Sequence, residues 1–125
     1  MILLDTHVLV WLHGGQGDRI PPAVRRRLNA EPLGVSPFVG LELAHLYEVG
    51  RVRSPSSAVL EELGPALELV AADVPAAVVC ETARGLTWTR DPFDRLISAQ
   101  AVAGGTTLVT KDEVIREHVP LAWWG

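Results

Sequence analysis

The sequence predicts an α/β domain with a mainly parallel central sheet flanked by helices, and three observations lead there. Short apolar runs of strand length alternate with longer amphipathic stretches. The first run, Met1–Leu4, is continuously apolar, as in a strand buried on both faces. Helix-start signals (Ser36-Pro37, Ser54-Pro55, Asp91-Pro92) and glycine stops then punctuate the chain between the strands.

In order, Met1–Leu4 is the first strand. Thr6 is placed to cap a helix reaching about Leu12, broken by Gly14, Gly15 and Gly17. Pro21-Pro22 opens a helix ending near Asn29, and Leu33–Val35 is a short strand. Ser36-Pro37 starts a helix to about Gly50. A further helix follows Ser54-Pro55 to Leu63, before Gly64-Pro65. Leu67–Ala71 reads as a strand, and Asp73 with Pro75 opens a helix to about Arg84. Asp91-Pro92 opens another, which stops at Gly104-Gly105. Thr107–Thr110 is a strand, and Asp112 precedes a last short helix.

Length and composition fit one domain over residues 1–125. Hydrophobic residues make up 48%, enough to bury a core without disulfide staples. The lone cysteine, Cys80, lies in the run Val78–Cys80 and is expected to be a small buried hydrophobe. The start reaches Asp5 with no basic leader, and no apolar run has membrane-spanning length, so a cytoplasmic protein is expected. A net charge of −4 argues against a passive nucleic-acid binder, which would usually be basic. It does not argue against a nuclease, whose metal-binding carboxylates themselves lower the charge.

Four acids stand out. Asp5 and Asp112 lie just beyond two expected parallel strands, where open α/β sheets place ligands. Glu42 lies on the apolar stripe of its helix with Phe38, Val39, His45 and Leu46, where an unpartnered carboxylate destabilises. Asp94 lies in the first turn of its helix, on a face carrying Ile97, Ser98 and Ala101. Each also has an ordinary explanation: Asp5, Asp94 and Asp112 as helix caps, Glu42 as a surface residue. Asp91 reads as a plain cap, with Arg95 as its i,i+4 partner. Gathered in one crevice, the four would repel one another. Oxygen-only ligands suit Mg²⁺ or Mn²⁺, which can activate water beside a phosphodiester.

Three segments carry a family resemblance: Leu3–Trp11, Asp91–Ala101 and Thr107–Asp112. Together they resemble the PIN-domain nucleases, in particular the VapC-type ribonuclease toxins of bacterial toxin–antitoxin pairs. The resemblance spans nearly the whole chain, with Asp91–Ala101 its most specific part. Around Glu42 the chain departs from the pattern, with Leu41 and Leu46 where such toxins often carry tryptophan and lysine. The resemblance implies a PIN-like three-layer α/β/α fold with Asp5, Glu42, Asp94 and Asp112 as catalytic metal ligands. Thr6 and Thr110 would be flanking hydroxyls, RNA the substrate, an antitoxin the partner and a homodimer the assembly.

Two other readings compete. A phosphoacceptor signalling domain would use Asp73 after a middle strand and Lys111 on the phosphate, but leaves Glu42 and Asp94 idle. A non-catalytic binding module of PIN-like fold would have no need of four acids. His7 and His13, six residues apart, are expected to hydrogen-bond locally rather than share a zinc ion. His45 and His118 stand too isolated to interpret. Arg25–Arg27 reads as a solvated helix face. Arg51 and Arg53 could reach a nucleic-acid backbone, and Trp123-Trp124 are expected to pack on the body or a partner.

Overall fold

The computed structural model describes residues 1–125. Five strands, β1 (Ile2–Leu4), β2 (Leu33–Val35), β3 (Val70–Ala71), β4 (Leu108–Val109) and β5 (Ala122–Trp123), form one sheet in the order β3-β2-β1-β4-β5. Every pairing is parallel, so the sheet is wholly rather than mainly parallel. Seven helices flank it: α1 (Thr6–His13), α2 (Pro22–Ala30), α3 (Pro37–Glu48), α4 (Ser56–Leu67), α5 (Ala76–Arg84), α6 (Pro92–Gly104) and α7 (Glu113–His118). This is the three-layer arrangement expected from the sequence.

β1 is central because all three of its residues are apolar, and all three are buried. Around it pack Val8 and Leu9 of α1, Val39 and Leu43 of α3, Ile97 and Ala101 of α6 and Ile115 of α7. Each large aliphatic side chain buried this way contributes roughly 1.5–3 kcal/mol. Gly34 lets β2 lie close to β1, since a Cβ there would meet the Met1 sulfur at 2.5 Å. Gly105 closes α6 in the left-handed region at φ 63°.

The chain order gives this sheet its useful edge. From β1 it winds outward through β2 and β3, then returns to the other side of β1 as β4 and β5. The reversal lies between β1 and β4, and a parallel sheet opens a crevice at such a switch point, beyond its carboxyl ends.

Several local expectations need correction. Asp5, not Thr6, caps α1, accepting a hydrogen bond from the Thr6 amide at 2.8 Å. The helix expected to stop at Leu63 continues through Gly64-Pro65 to Leu67. Proline there removes one backbone bond in the last turns, while Val59, Leu60, Leu63 and Leu67 pack on the core and outweigh it. Glu68 then ends α4 at φ 51°, so β3 keeps only Val70–Ala71. Cys80 is exposed, not buried: Val79 and Ala83, one turn apart on α5, are the residues turned onto Ala99 of α6. Arg95 does not pair with Asp91; its guanidinium donates to the carbonyls of Ala83 and Arg84, both at 3.0 Å, tying α6 to the end of α5. The 3-10 turn Gly17–Arg19 and strand β5 were not expected; two residues are too few to carry a strand period.

Candidate active site

The local chemistry of the cleft begins where β1 stops. Asp5 leaves the strand in extended conformation, caps α1 with one carboxylate oxygen, and accepts from the Thr110 hydroxyl at 2.6 Å with the other. Thr110 follows β4 and is fully buried. Its hydroxyl oxygen also accepts the Asp112 amide at 3.1 Å, and Asp112 in turn caps α7 through the Ile115 amide at 3.0 Å. One threonine thus links the acids after the two central strands. Thr6, the next residue on α1, donates its hydroxyl to Glu42 of α3. The capping explanations were correct for Asp5 and Asp112, and the caps are also what aim these side chains.

Glu42 and Asp94 arrive from helices that begin at the same edge. Together with Asp91 they place carboxylate oxygens within 4.8 Å of one another. Asp5, Glu42, Asp91, Asp94 and Asp112 all line one open cleft of about 370 Å³, with His7 and Arg51 on its wall. All four acids singled out in the sequence are therefore brought together. Asp91 was passed over as a plain cap. It does cap α6, accepting from the amides of Phe93 and Asp94 at 2.8 and 3.0 Å. The spacing Asp91–Asp94 was the available signal, because a cap and the third helical residue lie on the same side of a helix start. His7 was also undervalued: its Nε2 accepts the Lys111 amide at 3.2 Å, and its Nδ1 lies 3.7 Å from Asp5.

The electrostatics follow from the geometry. Burial, then the charges of Asp91, Asp112, Asp5 and Glu42, push the Asp94 carboxyl up to about 7. Burial raises Glu42 as well, against the lowering effect of the Thr6 hydrogen bond. No lysine or arginine forms an ion pair with any of the five acids; His7 beside Asp5 is the only basic partner. Five carboxylates with so little compensation suit a hard divalent cation, which needs oxygen ligands and removes their repulsion. The phosphoacceptor reading fits poorly. β3 is an edge strand, Asp73 beyond it is exposed, and Lys111 stands over the Trp11 ring at 5.6 Å.

Comparison with known proteins agrees with this architecture. Residues 2–119 match the model of the PIN domain. The chain is 32% identical over 120 residues to Ribonuclease VapC22 of Mycobacterium tuberculosis, covering 94% of this chain and 91% of that protein. A chain from the crystal structure of DNA-bound VapBC from Salmonella typhimurium superposes with a TM-score of 0.62 at 26% identity, over 98% of this chain and 96% of the other. Another, from VapBC2 of Rickettsia felis bound to a promoter DNA fragment, gives a TM-score of 0.67 at 21% identity, over 98% and 96%. No helix is long and apolar enough to cross a membrane.

Proposed function

The chain belongs to the PIN-domain family, and from that premise we propose that it is a cytoplasmic metal-dependent endoribonuclease, the toxin of a toxin–antitoxin pair. One observation carries the proposal: five weakly compensated carboxylates converge at the switch point of a parallel sheet. Relatives named as a ribonuclease and as VapBC complexes support RNA as substrate and an antitoxin as partner. Residues 1–125 act as one domain in this reading.

Asp5, Glu42, Asp94 and Asp112 would hold Mg²⁺ or Mn²⁺, with Asp91 as a fifth carboxylate at the rim. A divalent ion bound there would supply charge neutralisation at the scissile phosphate and a water of lowered pKa. The protein's own part is orientation and proton bookkeeping. Thr110 fixes the rotamer of Asp5, and Thr6 fixes that of Glu42. Asp94, whose carboxyl is pushed up to about 7 in the free protein, would have to be deprotonated to serve as a cation ligand. His7, beside Asp5, holds the Lys111 amide at the mouth of the cleft.

The partner and a second copy need surface to bind. Leu41, Tyr47 and Val49, on or just beyond α3, leave apolar area exposed for a homodimer or an antitoxin helix. The same acids that attract a metal attract an antitoxin arginine, so inhibition is competition for one position.

Incubating the purified protein with total RNA, in Mg²⁺, Mn²⁺ or EDTA, tests the function. Cleavage products with metal and none with EDTA are expected. Intact RNA with every metal overturns the proposal.

A further inference from the structure

Beside the acid cleft, and sharing Val10, Arg51 and Val52 with it, runs a second groove of about 490 Å³. Its chemistry is the opposite of its neighbour's. Trp11 forms one wall, and Arg19, Arg51 and Arg53 surround it. All three arginines are exposed and none is in an ion pair, in a chain whose net charge is −4. The Arg19 guanidinium rests over the Trp11 ring at 4.8 Å and is otherwise held only by a 3.4 Å contact to Gln16. Lys111, the only lysine of the chain, stands over the same ring at 5.6 Å. His7 and Trp124 fix the indole, with ring centroids 4.9 and 5.9 Å away.

We propose that this groove is the subsite for the nucleotides of single-stranded RNA next to the scissile phosphate, with a base stacked at Trp11 and the backbone held by Arg51 and Arg53. The inference rests on the nuclease reading of the adjoining cleft. An acidic cleft repels a polyanion, so the strand must be gripped by positive charge beside it, and Arg19, Arg51 and Arg53, none of them in an ion pair, line the adjoining groove together with an aromatic ring. A fixed aromatic ring flanked by exposed cations is the arrangement that binds unpaired bases without regard to sequence. Arg19 yields its place on the ring to a base and moves to a phosphate. Arg51, on the wall of both cavities, spans the step from stacked base to cleaved linkage. A base in a duplex cannot reach the ring, so the substrate is single-stranded at this point.

The test uses the full chain carrying Asp94→Asn, in EDTA so that RNA stays intact, with a fluorescently labelled 12-nucleotide single-stranded RNA read by anisotropy. Adding Trp11→Ala should weaken binding about tenfold, and Trp11→Phe should restore most of it. Adding Arg53→Gln should weaken binding and flatten the dependence of log K on log salt by about 0.7. A blunt duplex of equal length should bind more weakly and ignore Trp11→Ala. Melting curves establish that each variant is folded; if Trp11→Ala is not, Trp11→Phe and Arg53→Gln decide. The proposal is overturned if the Asp94→Asn chain does not bind the RNA, if folded Trp11→Ala binds it normally, or if polyglutamate displaces RNA as well as unlabelled RNA does. Cleavage separates the two readings. A wild-type chain that binds through Trp11 but never cuts loses the nuclease and keeps the subsite. A chain that cuts with unchanged KM in Trp11→Ala and Arg53→Gln keeps the nuclease and loses the subsite.

Discussion

Two tryptophans of this protein carry an arginine on their faces, and the two arginines live in different electrostatic worlds. Arg27 lies over Trp123 at 4.6 Å while its guanidinium grips Glu31 one helical turn on, at 2.5 and 3.1 Å. That hydrogen bond raises the Arg27 pKa and lowers that of Glu31, the mark of a pair that favours its charged forms. Arg19 over Trp11 is in no ion pair, and a short distance away five carboxylates form none with any arginine. The first corner is complete within the chain. The second becomes complete only when something else arrives. Unsatisfied charge kept in a folded protein marks where it binds and reacts.

The largest effect expected from breaking this contrast is on catalysis. Asp94→Asn removes a proposed metal ligand and a charge, and RNA cleavage should fall about a hundredfold or more. The metal-free fold should not suffer, because repulsion among the acids is relieved. Single-turnover cleavage and a melting curve on the same preparation check both halves. Retained cleavage would remove Asp94 from the site.

Next in size is the response to metal. A cation that binds only the native state at a hundred times its Kd adds about 2.7 kcal/mol, near 10 °C in Tm for a domain this long. Differential scanning fluorimetry with Mn²⁺ should show a shift of that order in the wild type and a much smaller one in Asp5→Asn. The Arg27 corner should make no difference to it. An unmoved wild-type Tm at saturating Mn²⁺ would mean that the cluster holds no metal.

A smaller effect comes from pH. The Asp94 carboxyl is raised from its ordinary 3.8 to about 7 in the fold, so between those values the native state binds more protons than the unfolded one. Its stability penalty is therefore absent below about pH 4 and complete above about pH 7. Without metal, Tm should decline by a few degrees, about 3–8 °C, across that window, and Glu42 pushes the same way. Asp94→Asn should flatten the decline. A wild-type profile as flat as the variant's would show that the acids are not crowded in solution.

The smallest effect is the control. Glu31→Gln breaks a half-exposed ion pair, so Tm should fall by no more than about 2 °C, with cleavage and metal response unchanged. A large loss of activity would show that the satisfied corner, too, serves the site.

How much of this could be read in advance follows from what each residue does locally. β1 and the starts of α3 and α6 were legible because a continuous apolar run and a cap followed by proline act within a few residues. The positions of Asp5, Glu42, Asp94 and Asp112 were legible because strand and helix ends share one edge of a parallel sheet. Asp91 was obscured because its capping role is real and sufficient, and only the fold reveals Glu42 beside it. Cys80 and the run through Pro65 were misread because tertiary packing chose the buried face of α5 and the length of α4. β5 is two residues long and exists because β4 offers it an edge.

The bond from Thr110 to Asp5 joins residues 105 positions apart, and it has a consequence in time. During synthesis, at about 5–20 residues per second, β1 emerges first and can pair with β2 soon after. Its other edge waits for β4, which is made long after β2. Until then the most apolar strand of the protein has an open side, which is a hazard for the nascent chain. The same delay is a safeguard. Asp112 follows β4, so a polypeptide released early lacks the final acid and the threonine that aims the first. The acid centre is therefore assembled only after Asp112 has been made, and a product truncated before that residue lacks it.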